Sequence, residues 1–334
     1  MDVSELGEFA LIARLRGLLP PAGEQLIVGP GDDAAVWRSG GQYAIATTDT
    51  MVAGVHFLPD RVSWQDVGWK SLAVNLSDIA AMGGTPSFAL VTLHLPPHTP
   101  IADLDELYAG LRECAAEYGV EIAGGDIVSS PVFAMTVALT GVAAVAADGS
   151  PLLLRRDAAR PGDIVAVTGP LGGSAGGLRA LIESTPRSAV VDALVTRHMR
   201  PRPRLDAGGA AIRAGIRCAI DISDGLAQDL GHICEASSVG AELSFDALPV
   251  DAALTEAFPA DARALAASGG EDYELILVAK EPAIHDAAAA LDSPLAAIGR
   301  ISDGGGVRVV DAQGRDVALA SRGWDHLARA GRTA

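Results

Sequence analysis

The sequence predicts an α/β (α+β) protein of two domains, the first over residues 1–147 and the second over residues 148–334. Three observations carry this expectation. The chain has 334 residues, more than a single core usually accommodates. Short β-prone apolar runs alternate with stretches of helical apolar spacing. Residues 147–161 shift to Asp, Gly, Pro and Arg, the composition of an interdomain linker. With 49% apolar and 20% charged residues, the chain reads as globular and not disordered.

Taken in order, residues 8–19 place Phe9, Ile12, Ala13 and Leu15 on one helical face, expected to pack on the following sheet. Residues 42–48 and 88–95 read as strands, with a helix over 63–82 between them. Asp103 and Glu106 form a candidate capping box ahead of a stripe of Leu104, Leu107, Tyr108, Leu111 and Ala115, which Gly119 is expected to stop. Strands over 120–123 and 132–144 complete the first half. The second half predicts a strand over 163–168, a glycine-rich turn over 169–177 and a helix from Leu178. Further strands are expected over 218–221, 273–279 and 307–310, and the Ala-rich residues 287–290 read as helix.

A formal charge of −17, with Lys70 and Lys280 the two lysines, argues against binding to nucleic acid, whose phosphates are held by clustered cations. Arg197, Arg200, Arg202 and Arg204 form the densest basic group and read as a solvated surface. Cys114, Cys218 and Cys234 are widely spaced, which suits neither a disulfide framework nor a zinc site and fits a reducing compartment. Glu5, Glu8, Arg14 and Arg16 interrupt the amino-terminal segment, and no later stretch suits a membrane span, so a cytoplasmic location is expected.

The informative feature is a series of aspartates at strand ends or inside apolar helices: Asp32, Asp33, Asp49, Asp78, Asp126, Asp221 and Asp224. If several converge, each pair at about 4 Å repels by roughly 4 kcal/mol at an effective dielectric of 20, which a cation would relieve. Oxygen donors without neighbouring His or Cys suit magnesium or calcium, and magnesium held by few carboxylates leaves positions for substrate phosphates. Phosphoryl transfer is therefore the leading class, with a non-catalytic calcium- or nucleotide-binding module as the alternative. Taken singly, Asp32 and Asp33 also read as a turn after Gly29-Pro30-Gly31, Asp49 as a strand end, and Ser223 or Asp224 as a helix cap. Asp78 is different, because Leu72, Leu76, Ile79 and Ala80 leave its helix little polar surface, and Asn75 shares its face. No Gly-x-x-x-x-Gly-Lys-[Ser/Thr] is present, so a P-loop is excluded. Residues 169–177 could offer backbone amides to an anion, or could allow close helix packing.

In order along nearly the whole chain, the motifs Gly7-Glu8-Phe9, Gly31-Asp32-Asp33, Thr48-Asp49-Thr50 and Gly54-Val55-His56-Phe57 are followed by Asn75-Leu76-Ser77-Asp78. Gly124-Gly125-Asp126, Asp221-Ile222-Ser223-Asp224-Gly225 and Gly270-Glu271-Asp272-Tyr273-Glu274 come next. This series resembles the thiamine-monophosphate kinase family, within the superfamily named for aminoimidazole ribonucleotide synthetase. The resemblance implies an ATP- and Mg2+-dependent kinase, several ions being bound, that converts thiamine monophosphate to thiamine diphosphate. It also implies a homodimer whose amino-terminal sheets form a barrel. The implied metal ligands are Asp32, Asp33, Thr47, Thr48, Asp49, Asp78, Asp126, Asp221 and Asp224, with Asp78, Asp126 and Asp224 central to catalysis. ATP contacts would fall on Tyr108, Gly125, Asp126, Arg156 and Ser223, and contacts to the thiamine compound on His56, Glu271 and Trp324. Selenophosphate synthetase and the hydrogenase-maturation dehydratase fit less well, because the reactive cysteine each requires is missing at the corresponding end.

Overall fold

A computed structural model describes residues 3–291, 295–319, 321, 323 and 324. Helices α1 (Val3–Leu6) and α2 (Glu8–Arg16) precede strands β1 (Leu26–Val28), β2 (Ala35–Ser39) and β3 (Gln42–Val52). Then come α3 (Trp64–Ala81), β4 (Thr85–Leu95), α4 (Ile101–Tyr118), β5 (Glu121–Ser129) and β6 (Ala134–Val142). These six strands form one sheet in the order β1-β2-β3-β6-β4-β5, antiparallel except for the parallel β4–β5 pair. A short ribbon of β7 (Ala144–Val145) and β8 (Pro151–Leu152) leads to the second half.

There the order is β9 (Ile164–Val167), α5 (Gly173–Ile182), α6 (Ala189–Met199), α7 (Leu205–Arg213), β10 (Cys218–Asp221), α8 (Leu226–Ser237) and β11 (Gly240–Ser244). It continues with α9 (Ala252–Ala257), α10 (Ala262–Ser268), β12 (Leu275–Ala279), α11 (Glu281–Ala289), β13 (Ala296–Ser302) and β14 (Gly306–Val310). The second sheet runs β10-β12-β9-β13-β11-β14, antiparallel except for β11–β14. Its strands β9, β10 and β12 bury both faces. Val165, Val167, Ile220, Ile276 and Val278 meet α8, while Ala166, Ala219, Leu275 and Leu277 meet α7 and α11. The chain is thus the mixed α/β protein that its alternating patterns predict.

Helix α3 explains the junction. A surface helix shows one apolar stripe, yet α3 is buried at almost every position from Val67 to Ala81. One side packs on α4 and the first sheet, the other on α7, α6 and β10 of the second half. Ala80 and Ala81 belong to the core of the second sheet. Ser63 caps α3, accepting a hydrogen bond from the Asp66 amide at 3.1 Å. Where α3 crosses α4, a Cβ on Gly68 would lie 1.9 Å from the Leu107 carbonyl oxygen, and one on Gly110 1.7 Å from that of Gln65. Gly68→Ala should gain about 1 kcal/mol of helix propensity but lose more by overpacking, roughly 3 kcal/mol. A clear fall in the thermal unfolding midpoint is the expected result, and an unchanged midpoint would show that the helices part without cost.

Several local expectations are corrected. Helix α2 forms but buries none of its residues; Phe9, Ile12 and Leu15 are exposed, and the Phe9 ring lies 4.9 Å from that of His232 in α8 instead of on the first sheet. The capping box is not made: Pro100 precedes the first turn of α4, and Asp103 lies within that turn. Gly119 does stop α4, in the left-handed conformation at φ 69°. Helix α5 starts at Gly173, ahead of the expected Leu178, because Gly172 at φ 82° turns the chain directly into it. Strand β5 carries Gly124, Gly125 and Asp126 inside it, not beyond its end, and all nine of its residues are exposed.

The arginine group is only partly a solvated surface. Arg200 lies 4.4 Å over the Trp69 ring and pairs with Glu113, and Arg204 is paired with Glu274. With Arg197 and Arg202 they line a cleft of about 80 Å3.

Candidate active site

Three carboxylates meet where the two sheets adjoin. Asp33 lies just before β2, Asp78 in the last turn of α3 and Asp221 at the end of β10, and one oxygen of each lies within 4.8 Å of the others. The alternation of β3 aims Thr47 and Asp49 at this point. The Thr47 hydroxyl donates to Asp78 Oδ2, and Asp49 bears electrostatically on both Asp78 and Asp221. Thr48 faces the other way and donates to the Val137 carbonyl at 3.1 Å. Ser77 donates to Asp221 Oδ2 at 2.6 Å.

Burial and crowding of like charge raise the pKa of these carboxyls. Burial, then the charges of Asp49, Asp221 and Asp33, hold the Asp78 carboxyl well above the usual carboxylate range. Burial and Asp33 push Asp221 up to about 8, and burial and Asp33 push Asp32 up to about 7. Arg156 is the counterweight, with its guanidinium 2.5 Å from Asp33 Oδ1 and 3.8 Å from Asp32 Oδ1. Asp33 Oδ2 remains buried without a hydrogen-bond partner. An orphaned carboxylate oxygen beside two further carboxylates, all hard oxygen donors, fits a small divalent cation.

A second group is built by the start of α8. Asp229 Oδ2 accepts hydrogen bonds from the amides of Ser223 (3.1 Å), Asp224 (3.1 Å) and Gly225 (2.9 Å). That replaces the expected cap by Ser223 or Asp224: Gly225 is the cap residue, and the carboxylate that gathers the free amides comes from within the helix. Asp224, Asp229 and His232 also bring ligand atoms within 4.8 Å of one another. Trp324 is tied here through its backbone, its amide donating to the Asp224 carbonyl at 3.1 Å and its own carbonyl accepting from Gln228 at 2.6 Å. Its side chain is exposed.

The segment between α10 and β12 supplies the third part. Its backbone runs beside the end of β10, with the Glu271 amide on the Ser223 carbonyl at 2.8 Å and the Tyr273 amide on that of Ile222 at 2.9 Å. Glu271 and Tyr273 adopt φ of 64° and 52°, left-handed values that cost of order 1 kcal/mol or more each in non-glycine residues. Burial would raise the Glu271 pKa, but Lys70 above all outweighs it and keeps the group below the ordinary glutamate value, whereas burial and Lys70 push His198 down to about 3, so that its imidazole is neutral. His56 also lies within electrostatic range of Glu271. His56 follows β3, its Nδ1 accepting from the Val52 amide at 3.0 Å. In the glycine-rich segment that opens α5, the amides of Gly172 and Ser174 are already engaged, donating to Asp272 at 2.6 and 3.2 Å.

Tyr108, Gly125 and Asp126 stand elsewhere. Tyr108 is on α4, and the other two are on β5 at the far edge of the first sheet, with β6 and β4 lying between β5 and β3. Three strand spacings separate Asp126 from β3, roughly 14 Å. Asp126 accepts from the Ile127 amide at 2.9 Å and is exposed.

Sequence reasoning missed Lys70, His198, Asp229 and Asp272. Lys70 carried the same signal as Asp78, a charge inside an apolar helix, and is wholly buried.

Two domains of this kind, with carboxylates from both meeting at their junction, define the AIR synthase related class. Residues 31–145 match its N-terminal domain and residues 160–312 its C-terminal domain. The thiamine-monophosphate kinase of Salmonella typhimurium is 39% identical over 333 residues, covering 96% of this chain and 98% of the relative. That of Bacillus subtilis is 37% identical over 308 residues, covering 90% and 93%. A solved structure described as AaThiL complexed with AMPPCP and TMP superposes with a TM-score of 0.85 at 32% identity, covering 98% of this chain and 99% of that one. The chain belongs to the thiamine-monophosphate kinase family.

Proposed function

We propose that this chain transfers the γ-phosphoryl group of ATP to thiamine monophosphate, giving thiamine diphosphate and ADP; it is a phosphotransferase with a phosphate group as acceptor. The observation that carries the reading is the convergence of Asp33, Asp78 and Asp221 from both halves of the fold. Bound to such oxygen donors, magnesium would neutralise the charge of the transferring phosphoryl group.

The chain's own residues then have separate tasks. Asp32, Asp33, Thr47, Asp49, Asp78, Asp126, Asp221 and Asp224 are proposed to hold the ions, with Asp78, Asp126 and Asp224 nearest the chemistry; Thr48, which faces the other way, is left out. Arg156 and Ser223 flank the cluster and suit the nucleotide phosphates. Glu271 and His56 suit the cationic thiamine compound, and the exposed ring of Trp324 can stack on it. The acceptor phosphate is already ionised at neutral pH, so neither a protein nucleophile nor a general base is required. Positioning and electrostatics suffice.

A homodimer is proposed on two grounds. Strand β5 is exposed throughout, beside Phe88 and Leu90, which are each about half exposed on β4. Gly125 and Asp126, three strands from β3, lie too far from the cluster of their own chain, so a second copy would have to bring them to it. We further propose a domain division at residues 147/148, near the β7–β8 ribbon. A cytoplasmic location is proposed on the three buried free thiols. Among the described residues no helix is long and apolar enough to cross a membrane.

Incubation with ATP, magnesium and thiamine monophosphate tests the reaction: equal amounts of thiamine diphosphate and ADP are expected, and none from free thiamine. ATP consumption without thiamine diphosphate would refute it. Mixing Asp78→Asn and Asp126→Asn proteins, each inactive alone, should restore part of the activity through mixed dimers; no recovery despite subunit exchange would refute the shared site.

A further inference from the structure

We infer that Lys70 and His198 form a buried positioning pair that fixes the carboxylate of Glu271 for the thiamine compound. This rests on the reading of Glu271 as a substrate contact. Each partner takes one oxygen: Lys70 Nζ lies 2.8 Å from Oε1, and His198 Nδ1 lies 3.3 Å from Oε2. The side chains of Lys70 and His198 are 0% and 2% exposed, whereas that of Glu271 is 27% exposed. The carboxylate is therefore gripped from behind while part of it still faces solvent. Ser174 Oγ, 3.0 Å from His198 Nδ1, steadies the imidazole.

A role confined to gluing the domains explains this arrangement less well. Buried ion pairs add little net stability compared with apolar residues of similar volume, so glue alone does not require a buried lysine here. Nor does glue require a left-handed glutamate at the mouth of a site. The place of Lys70 on α3 is informative. Lys70 and Ser77 are seven residues apart and share a helix face, about 10 Å from each other. Ser77 holds Asp221 of the acidic cluster and Lys70 holds Glu271. One rigid helix thereby sets the spacing between the carboxylate cluster and the substrate carboxylate. His56, the other titratable group bearing on Glu271 from the first domain, follows the strand that carries Thr47 and Asp49.

Steady-state kinetics on the full chain test the pair. Lys70→Met should raise the KM for thiamine monophosphate about tenfold or more while the KM for ATP moves less than about twofold, and Lys70→Arg should recover part of the loss. His198→Asn should raise the same KM by a few fold, and it serves if Lys70→Met does not fold. In the double variant Lys70→Met/Glu271→Gln, the effect should not exceed that of Glu271→Gln alone. An unchanged KM in both single variants, or a multiplicative double variant, would overturn the inference while leaving the kinase reading intact. Absence of thiamine diphosphate from the unsubstituted protein would overturn both.

Discussion

Asp78→Asn should abolish turnover, by roughly 10³-fold or more, and should at the same time make the cation-free protein more resistant to heat. The two effects have one origin. Asp78 sits among Asp33, Asp49 and Asp221, and burial with their charges holds its carboxyl well above the usual range. A carboxyl raised in this way contributes its full stability only below the unfolded pKa, and that contribution is lost as pH rises toward the folded value. At neutral pH the fold bears the cost, which an uncharged amide of the same shape removes; Thr47 can still donate to the amide oxygen. A rise of roughly 2 °C or more in the midpoint without divalent ions is expected, together with loss of any stabilisation by added magnesium. Full activity, or a lowered midpoint in the absence of magnesium, would defeat this account.

Arg156→Met should have the opposite effect on stability. Its guanidinium is the cation paired with Asp33 and Asp32, and truncation leaves buried carboxylates facing one another. Removal of one partner from a buried pair costs about 3 to 5 kcal/mol, the upper part of which applies where no other cation can enter. The midpoint should therefore fall strongly in chelator and less in millimolar magnesium, and the KM for ATP should rise. Equal losses in both media, measured by calorimetry, would show that Arg156 does not act as a counter-ion to the cluster.

How much of this was legible depends on what kind of signal each residue carries. Asp78 stood out because a charge among Leu72, Leu76 and Ile79 has no inexpensive structural explanation. Lys70 meets the same criterion eight residues earlier, but a buried cation needs a distant partner that spacing does not reveal. The partner, Glu271, lies 201 positions away, on a left-handed stretch of backbone that no local pattern announces. Strands β1, β2, β11 and β13 carry little local signal because each is short or interrupted by glycine or charge, so that their pairing is decided by neighbouring strands. The glycines of β5 read as a loop for a similar reason. Gly125 is required where β5 passes so close to Val91 that a Cβ would meet its carbonyl at 1.7 Å, a tertiary constraint with no local trace. For Asp229, the first turn of a helix holding a buried acid was simply indistinguishable from an ordinary exposed one.

The segment from Gly270 to Glu274 has a consequence for how the chain can vary in length. Glu271, Asp272 and Glu274 are engaged in three different directions: by Lys70 and His198, by the amides opening α5, and by Thr168 with Arg204. Any one of these side chains could be exchanged and its neighbours would keep their partners. Insertion or loss of one residue would instead hand every carboxylate to the wrong correspondent at once, turning an anion toward apolar core and leaving a buried cation and a helix start unanswered. Length in this stretch is thus held more tightly than identity, whereas the exposed turn between β7 and β8 is free to lengthen.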